Sequence, residues 1–497
     1  MPVQSAGPSD RGIALGIDEA PASRATVHPT GTLAATILGS SLAFIDSSVV
    51  NVGLPAIARD LGAGGAQLSW LINAYLLPLG ALVLIGGVAG DRWGRKRVFL
   101  AGMAVFTFAS LACALAPGFA ALLAARVVQG VGAAFLVPAS LALLGAAFSG
   151  EARGRAVGTW AAAGSITGAL GPLAGGWLID TVGWRSIFLI NVPLAAAAAW
   201  LTWRYVDESQ AHDPAPLDWR GAALATAGLA ALTFGLTRLA GRHGSAGNSA
   251  AMAADAMTWA TLAIGFALLV GFVVLEARLG AKAMMPLALF GTKSFAGVSL
   301  LTLGLYAALG GMVVLLPYLL IERGGYSAAQ AGAALLPLPI IVGLGSRAAG
   351  RLAERIGARL LLTIGPCIVG AGFALFLRIG AGAADYVGVV MPALIVVASG
   401  LALSVAPLTA AVMGAVDAAH VGSASGVNNA TARIAGLLAT ALLGFVLGGG
   451  ASDAGFIAGF HAAALVGCAL CLLGGVSAFV LVRTKDVAAA RPQKQRG

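Results

Sequence analysis

The sequence predicts an all-α polytopic membrane protein with fourteen transmembrane helices, and three observations support this prediction. Hydrophobic residues make up 59% of the chain and charged residues only 10%, whereas soluble domains carry roughly 25% charged residues. Apolar runs long enough to cross a bilayer recur fourteen times, and one loop motif occurs twice. A chain of this composition cannot present a soluble surface, which excludes the soluble classes of protein.

The apolar runs set the number of helices. A bilayer-spanning helix needs about 20 apolar residues, and fourteen runs reach this length. The 70 glycines lie among Ala, Leu and Val rather than in tracts, which is typical of transmembrane helices that pack closely through small residues. The predicted segments have the approximate spans 31–56, 68–90, 98–117, 119–147, 154–179, 185–205, 219–240, 256–278, 294–320, 328–350, 359–378, 386–413, 427–449 and 459–482.

The basic residues predict the orientation of the chain. With a cytoplasmic amino terminus, the cytoplasmic connections and adjacent helix ends collect about 23 of the 30 Lys and Arg residues, as the positive-inside rule requires. We therefore expect a flexible cytoplasmic tail at 1–30, which lacks the apolar core of a signal peptide, and a basic cytoplasmic tail at 483–497. The net charge of +10 reflects this topology, so we expect no nucleic-acid partner.

A glycine-and-charge motif marks an internal repeat. The first copy reads Gly87-x3-Asp91-Arg92-x-Gly94-Arg95-Lys96, and the second, 263 positions later, reads Gly350-x3-Glu354-Arg355-x-Gly357-x-Arg359. The copies join segments two and three, and segments ten and eleven. This offset of eight segments predicts two six-helix bundles, at 31–205 and 294–482, and a linker with two inserted helices at 206–293. Internal symmetry of this kind is typical of secondary transporters.

Each position of the first loop copy has an expected role. Gly87 predicts close packing of two helices, and Gly94 predicts a sharp turn. Asp91 is expected to pair with Arg92, with Arg95 or with the amino terminus of a neighbouring helix, because helix amino termini favour anions.

Segment one contains a carboxylate well inside its apolar run, in the sequence Asp46-Ser47-Ser48-Val49-Val50-Asn51. A charged side chain at the bilayer centre costs about 2.5–3.5 kcal/mol on insertion scales. Burial disfavours the charged form of a carboxyl group, so a site of this type can take up and release a proton as its exposure changes. The alternative is a structural Asp that is satisfied locally by Ser47, Ser48 or Asn51, or that faces the outer interface.

Segment four carries a second charged residue, in the sequence Arg126-x2-Gln129-Gly130-x-Gly132. An Arg this deep in an apolar run needs a partner. Gln129 lies three residues further on, nearly on the same helix face, and is a candidate to orient the guanidinium group or to contact a substrate. The alternative is that Arg126 extends to the outer headgroups.

Segment five contains a glycine and proline motif, Gly164-x3-Gly168-x2-Gly171-Pro172-x2-Gly175-Gly176. The spacings of three and four place four glycines on one helix face, which predicts a groove for a neighbouring helix. These four are Gly164, Gly168, Gly171 and Gly175. Pro172 predicts a kink because it removes a backbone hydrogen bond. Segment thirteen has no counterpart of this motif, so the two halves are not expected to be functionally equivalent.

Together these motifs resemble the major facilitator superfamily, specifically its fourteen-helix drug:proton antiporter branch, from about residue 30 to about residue 485. The resemblance implies the major facilitator fold, with two six-helix bundles and two inserted helices. It also implies proton-coupled export of small amphipathic compounds (drugs, antibiotics or biocides) by alternating access across a bacterial inner membrane. No cofactor is expected, and the protein is expected to work as a monomer.

The resemblance further implies roles for individual residues. Asp46 would bind and release the proton, and Arg126 would tune that site. The loop motif would act as a conformational latch, and the motif of segment five would mark an antiporter rather than a symporter. The substrate-pocket candidates are Gln129, Asn51 and Tyr75, and other aromatic residues that could line a pocket or anchor helices at the membrane interface are Phe44, Trp70, Trp160, Tyr306 and Tyr318.

Other functional classes fit the sequence poorly. The absence of a Gly-x4-Gly-Lys-Ser/Thr segment argues against an ATP-driven pump. The five His residues fall mainly in tails and connections, so we expect neither an enzyme nor a metal site. Cys468-x2-Cys471 has no second ligand pair, and we interpret both as small apolar residues. The remaining alternative is a proton-coupled transporter of a specific metabolite, including uptake by symport.

Overall fold

The computed structural model describes residues 28–210, 218–240, 249–280, 283, 285–380, 385–416, 421–447 and 453–483, and every regular element in these ranges is a helix. Within lipid, a helix satisfies all the backbone hydrogen bonds of one apolar segment internally. Nearly all of the predicted tails at 1–30 and 483–497 lies outside the described residues. The first part of the chain forms α1 (Pro29–Leu61), α2 (Gly65–Trp93), α3 (Arg95–Ala114), α4 (Phe119–Ala147), α5 (Gly150–Thr181), α6 (Ser186–Leu189), α7 (Asn191–Tyr205), α8 (Trp219–Ala240) and α9 (Ser249–Leu279).

The second part of the chain contains shorter helical pieces as well as long spans. A 3₁₀ helix at Leu287–Gly291 precedes the first of them, and Phe376–Arg378 and Tyr386–Val390 form a 3₁₀ and a π turn further on. The α-helices are α10 (Lys293–Glu322), α11 (Ala328–Ala334), α12 (Pro337–Ile356), α13 (Ala358–Leu375), α14 (Met391–Gly414), α15 (Val421–Ala441), α16 (Gly444–Leu447) and α17 (Asp453–Leu481).

The number of membrane spans agrees with the prediction. Among the described residues, 13 helical stretches are long and apolar enough to cross a membrane, and α2 makes up to 14 when its two parts count as one span. These parts, Gln67–Val83 and Ile85–Trp93, are bent by 54°. Three further predicted segments each consist of two consecutive helices, α6 with α7, α11 with α12, and α15 with α16. The prediction of an all-α polytopic protein is confirmed.

Small residues bring α2 and α4 into backbone contact. A Cβ atom on Gly130 would lie 2.4 Å from the carbonyl oxygen of Tyr75, and one on Gly86 would lie 2.1 Å from that of Ala134. A Cβ atom on Gly87 would lie 3.8 Å from the nearest atom, which is an ordinary contact. The predicted close approach at Gly87 is therefore wrong by one residue, because successive residues are rotated by about 100° around a helix.

Helices α1 to α7 pack on one another, and so do α10 to α17. The helices between these two groups, α8 and α9, form a tight pair in which a Cβ atom on Gly265 would lie 2.7 Å from the backbone nitrogen of Leu232. α8 also contacts α2 and α15, where Leu229 is buried together with Ala81 and Leu437. The inserted pair thus covers one seam between the two groups of helices.

The two groups meet at one end of the bundle. We call the end that carries the repeat loops, 91–96 and 354–359, the loop face, and the opposite end the far face. Contacts join α1 to α10, α2 to α15 and α5 to α11. On the far-face side of these helices, Thr440 donates a hydrogen bond to Asn73, and a Cβ atom on Gly332 would lie 2.2 Å from the carbonyl oxygen of Pro172. These contacts close the far face.

The two repeat loops share one backbone conformation. Gly94 has φ 103° and ψ 127°, and Gly357 has φ 90° and ψ 141°, a region that glycine occupies readily and other residues avoid. The sharp turn predicted at Gly94 is therefore present in both copies. The Glu208 carboxylate accepts hydrogen bonds from the backbone N–H groups of Lys96 (2.9 Å) and Arg97 (3.1 Å) at the start of α3, a cap that the sequence does not predict.

Candidate functional site

A buried ion pair lies inside the first group of helices. Asp46 on α1 is 0% exposed and Arg126 on α4 is 1% exposed. The Oδ2 atom of Asp46 lies 2.5 Å from Nη1 of Arg126, and the Arg126 Nε–H group donates to the carbonyl oxygen of Leu71 at 3.4 Å. The two charges neutralise each other, which is the usual condition for charged residues inside a membrane.

Three polar side chains complete a hydrogen-bonded cluster around this pair. Gln129 Nε2 donates to Asp46 Oδ1 at 2.8 Å and to Ser110 Oγ at 3.1 Å. Gln129 Oε1 accepts from Arg126 Nη1 at 2.7 Å. Asn191 Nδ2 lies 2.9 Å from Ser110 Oγ and 3.4 Å from Asp46 Oδ1. The carboxylate thus accepts hydrogen bonds from α4 and α7, which fixes its position between three helices.

The local alternatives for these charged residues do not hold. Ser47 and Ser48 each donate to the backbone carbonyl group three residues earlier, at 3.0 and 2.9 Å, and do not satisfy Asp46. Arg126 is buried against the carboxylate and does not extend to the membrane surface. Both charged residues therefore belong to one internal site.

A cavity of about 290 Å³ lies between the two groups of helices, next to the ion pair. Residues of α1, α2 and α4 line one side, and residues of α10 and α15 line the other. The guanidinium carbon of Arg126 lies 4.4 Å from the centre of the Tyr75 ring, and both residues line the cavity. Its polar lining comes from Ser47, Asn51, Tyr75, Arg126, Tyr306 and Thr440. The remaining wall is apolar, as is typical of sites for small amphipathic ligands.

The structure separates the predicted pocket residues into two sets. Asn51 and Tyr75 line the cavity, whereas Gln129 is 0% exposed and lies behind Arg126. Gln129 thus orients the guanidinium group, one of its two predicted roles. Tyr306 also lines the cavity. Other aromatic candidates pack on neighbouring rings, in the pairs Phe44–Trp160, Trp70–Phe234 and Tyr318–Phe456.

Two members of the cluster, Ser110 and Asn191, are not predicted from the sequence. Ser110 resembles the many other small residues of the apolar runs, so no signal distinguishes it. Asn191 carries a signal, because a lone amide two residues before Pro193 interrupts an otherwise apolar stretch of segment six. Its Oδ1 atom is buried without a hydrogen-bond partner among the described residues.

The glycine motif of α5 contacts α1 at three of the four predicted positions, since a Cβ atom on Gly164 would lie 2.7 Å from Cε2 of Phe44. A Cβ atom on Gly171 would lie 2.2 Å from Ser48 Oγ, and one on Gly175 would lie 1.7 Å from Val49 Cγ2. Gly168, however, has no neighbouring atom within 4 Å of such a Cβ position. The prediction of one continuous groove that includes Gly168 is therefore wrong.

The last glycine of the motif contacts the other group of helices. A Cβ atom on Gly176 would lie 2.3 Å from the carbonyl oxygen of Ala328 on α11. One turn further along α5, the Asp180 carboxylate accepts hydrogen bonds from the backbone N–H groups of Ala328 (3.1 Å) and Ala329 (2.9 Å). Asp180 thereby caps the amino terminus of α11 and joins the two groups at the far face.

The loop motif forms its ion pair within one loop. Asp91 Oδ1 lies 2.7 Å from Arg95 Nη2, which is one of the predicted pairings, and Arg92 is exposed. In the second copy, Arg359 donates to the carbonyl oxygen of Phe479 from Nε (2.9 Å) and Nη2 (2.5 Å). A Cβ atom on Gly350 would lie 3.7 Å from the Cβ atom of Ala406, which is an ordinary contact. Arg355 is exposed, and the side chain of Glu354 lies outside the described part of the structure.

The described residues contain no group of three or more His, Cys, Asp or Glu side chains that could hold a metal ion. Cys468 and Cys471 lie on α17 as free thiols. The polar cluster around Asp46 is therefore the chemically distinctive site of the described chain.

Curated relatives at moderate identity are resistance and export proteins. The chain is 36% identical over 417 residues to the "Multidrug resistance protein Stp" of Mycobacterium tuberculosis, covering 84% of this chain and 75% of that protein. It is 36% identical over 442 residues to the "Cephamycin export protein CmcT" of Amycolatopsis lactamdurans, covering 87% and 88%. It is 33% identical over 481 residues to the "Methylenomycin A resistance protein" of Streptomyces coelicolor, covering 96% of both chains.

Solved structures share the fold at much lower identity. A D-xylose-proton symporter has a TM-score of 0.63 and 15% identity, covering 92% of this chain and 97% of that one. A peptide transporter solved with sulfate has a TM-score of 0.65 and 16% identity, covering 90% and 93%. Identity at this level supports the fold alone, and the predicted major facilitator fold is confirmed.

The family match covers the whole site. The model described as "Major Facilitator Superfamily" matches residues 36–440, a range that includes Asp46, Arg126 and the cavity residues as far as Thr440. The relatives are described as multidrug, cephamycin and methylenomycin A resistance or export proteins, which agrees with the branch that the motifs resemble. The match also places the chain among membrane transporters rather than enzymes. This chain belongs to the Major Facilitator Superfamily.

Proposed function

We propose that the protein exports small amphipathic compounds in exchange for protons. The relatives named above are described as multidrug, cephamycin and methylenomycin A resistance or export proteins, which supports the direction and the general class of substrate. The mostly apolar cavity between two groups of helices supports a pocket for such compounds. Asp46 is the proposed proton site and Arg126 the residue that tunes it.

One observation carries the proposal: Arg126 belongs to both the cavity and the ion pair. Its guanidinium group lines the cavity and packs on Tyr75, while Nη1 contacts the Asp46 carboxylate. Protonation of Asp46 removes the negative charge that holds Arg126, so the guanidinium group becomes free to move or to find other partners. A proton bound outside the cavity thereby changes a wall of the cavity, which is the physical requirement for coupling.

The transport cycle would alternate between two closed ends. We propose residues 31–205 and 294–482 as the two moving bundles, with the linker at 206–293 carrying the inserted helices. The basic residues favour a cytoplasmic loop face, so the closed far face corresponds to a cytoplasm-facing state. The proposed location is the bacterial plasma membrane with both termini in the cytoplasm, and the proposed working unit is a monomer because the cavity is formed within one chain.

The proton gradient supplies enough energy for this function. A proton that enters across about 100 mV releases roughly 2.3 kcal/mol. At about 1.4 kcal/mol per tenfold ratio, this supports a gradient of roughly fiftyfold for a neutral compound. One-for-one exchange with a monovalent cation is electroneutral and draws only on the pH difference.

Asp46→Asn tests the assignment. The amide keeps the size and much of the hydrogen bonding of the carboxyl group but cannot titrate, so we expect normal insertion and substrate binding but a loss of coupling. In proteoliposomes, an imposed proton gradient should drive accumulation of a transported dye by wild type and not by the variant. Addition of the dye should release protons from purified wild type only.

A matched control is Asp60→Asn. Asp60 is a far-face carboxylate that accepts hydrogen bonds from Trp184 and Arg185 at 2.9 Å. The variant Asp60→Asn should retain gradient-driven accumulation of the dye. Retention of accumulation by Asp46→Asn would refute the role of Asp46. Accumulation driven in the direction of the proton flux would instead identify a symporter.

A further inference from the structure

Arg433 is a second intramembrane cation close to the cavity. It lies near the middle of the span Ala424–Leu447, and it is partly exposed although it lies within a membrane-spanning helix. On α15, Arg433 shares a helix face with Gly436 and Thr440 at spacings of three and seven residues, and both of these residues line the cavity. Arg433 is also close enough to interact electrostatically with Tyr75, another lining residue.

Arg433 is flanked by α2 and by the part of α15 that packs against α8. A Cβ atom on Gly80 of α2 would lie 3.6 Å from the Cβ atom of Arg433, so α2 covers one side. Leu437 and Ile434, on the adjoining face of α15, pack in the cluster that includes Leu229 of α8. The inserted helix α8 therefore separates this part of α15 from lipid, and Arg433 directly follows Ala432, which lines the cavity.

Unlike Arg126, Arg433 has no anionic partner within the described structure. It takes part in none of the hydrogen bonds or ion pairs formed by the described residues. Asp46 is already neutralised by Arg126. The cavity and its border therefore carry one uncompensated positive charge, in a position where charged residues are rare unless they serve a function.

Resting on the export function proposed above, we propose that Arg433 binds the acidic group of the substrate, and that the preferred substrates are amphipathic monoanions with a carboxylate or sulfonate. The apolar walls would hold the hydrophobic part of the compound, and Tyr306 would contribute a hydroxyl group beside it. A cationic compound would meet a site of like charge with no free carboxylate among the described lining residues. The guanidinium group matches carboxylate and sulfonate oxygens through paired N–H donors.

Two dyes that differ in one acidic group test this proposal. 8-Anilino-1-naphthalenesulfonate and N-phenyl-1-naphthylamine share an anilinonaphthalene body, and only the first carries a sulfonate. Equilibrium fluorescence titrations use purified protein in phosphatidylcholine nanodiscs, with the signal of empty discs subtracted. We expect wild type to bind the sulfonate at least tenfold more tightly than the neutral dye. Arg433→Gln should weaken sulfonate binding roughly tenfold and change binding of the neutral dye less than twofold.

Three variants make the result specific. Arg433→Lys keeps the charge and should lie between wild type and Arg433→Gln. Arg378→Gln removes an exposed charge far from the cavity and should bind both dyes as wild type does. Val313→Trp adds bulk to the cavity wall and should abolish binding of both dyes.

Several results would overturn the proposal. Equal affinity of wild type for the two dyes would do so without any variant, and this outcome does not depend on the folding of Arg433→Gln. Sulfonate binding that survives Val313→Trp would place the anion elsewhere. Anionic lipid is another source of an acidic group: competition by phosphatidylglycerol discs that is lost in Arg433→Gln would assign the site to lipid. Because binding is measured without a proton gradient, failure here is distinguishable from failure of proton coupling.

Discussion

The far-face contact of Asp180 predicts how the two states of the transporter are balanced. Asp180 belongs to α5, and its carboxylate accepts two backbone hydrogen bonds from Ala328 and Ala329 at the first turn of α11. These helices belong to different bundles, so opening of the far face must break both bonds. Asp180→Asn replaces a charged acceptor with a neutral amide that has one acceptor oxygen.

The expected magnitude follows from helix capping. Loss of a side-chain cap costs typically about 1 kcal/mol and up to about 2, and the favourable interaction of a carboxylate with a helix amino terminus contributes about 0.3–1 kcal/mol. We expect Asp180→Asn to destabilise the far-face-closed state by about 1–2 kcal/mol. This corresponds to a roughly 5- to 30-fold change in the ratio of closed to open molecules, which is large for a transporter that must visit both states.

Distance measurements between spin labels report this ratio directly. Labels at Val182, which is 71% exposed, and at Glu322, which is exposed at the end of α10, lie on the two bundles at the far face. The background replaces the 4 native cysteines with Ala. In nanodiscs, the variant should increase the population with the longer distance by the factor given above.

The control keeps the same chemistry at the same face. Asp60→Asn removes a carboxylate whose partners, Trp184 and Arg185, lie within the first bundle, so opening of the far face does not break its bonds. Asp60→Asn should leave the distance populations unchanged. A change of less than twofold in Asp180→Asn, with normal expression, would show that this cap does not stabilise the closed state.

Two further substitutions test the motifs. Gly171→Leu should slow export while the protein still inserts, because a side chain there meets Ser48 at 2.2 Å and overpacking costs about 1–3 kcal/mol. The control Gly168→Leu changes a position without neighbours and should have near-normal efflux kinetics. Equal effects of the two substitutions would contradict a role of packing at Gly171. Asp91→Asn should reduce efflux with little loss of protein, because its partly exposed pair with Arg95 contributes about 1 kcal/mol or less to stability. We expect a milder effect from Glu354→Gln, and negligible effects of both on efflux would leave the loops with a role in topology only.

The sequence predicts those features that depend on one helix at a time. Span number depends on the length of each apolar run, and the turn at Gly94 depends on a local backbone conformation, so both follow from composition and spacing. The need for a partner at Arg126 also follows, because an isolated charge in lipid is costly. Each of these inferences uses only the properties of one segment and the solvent around it.

The features that the sequence does not predict depend on how helices are rotated against one another. The close contact of α2 is at Gly86 rather than at the predicted Gly87, because neighbouring residues point in different directions around the helix. On α5, Gly171 has a neighbouring atom within 4 Å of its Cβ position, whereas Gly168 has none. Ser110 and Asn191 become part of the ion-pair cluster only because α3 and α7 turn these side chains toward α1. Asp180 lies near the end of an apolar segment, and nothing in the sequence relates it to α11.

The internal repeat shows that the two groups of helices carry different charged residues at the cavity. The displacement of 263 positions that relates Gly87 to Gly350 relates Asp46 to Leu309, an apolar residue that lines the cavity. The first bundle therefore carries the ion pair, whereas the second contributes an apolar wall and Arg433. Tyr75 lies between the two sites, since its ring packs against Arg126 and it interacts electrostatically with Arg433.

This division has an energetic consequence if the substrate is an anion. Exchange of one entering proton for one leaving monoanion moves two charges in the favourable direction, which releases about 4.6 kcal/mol across 100 mV. That energy supports a concentration ratio of more than roughly a thousandfold, whereas the ratio for a neutral compound is roughly fiftyfold. A cation exchanged one for one would draw nothing from the membrane potential. An unpaired Arg433 and a neutralised Asp46 therefore favour the class of substrate for which the membrane potential is most effective. The proposed proton site and the proposed anion site would act on one cavity from the two opposite groups of helices.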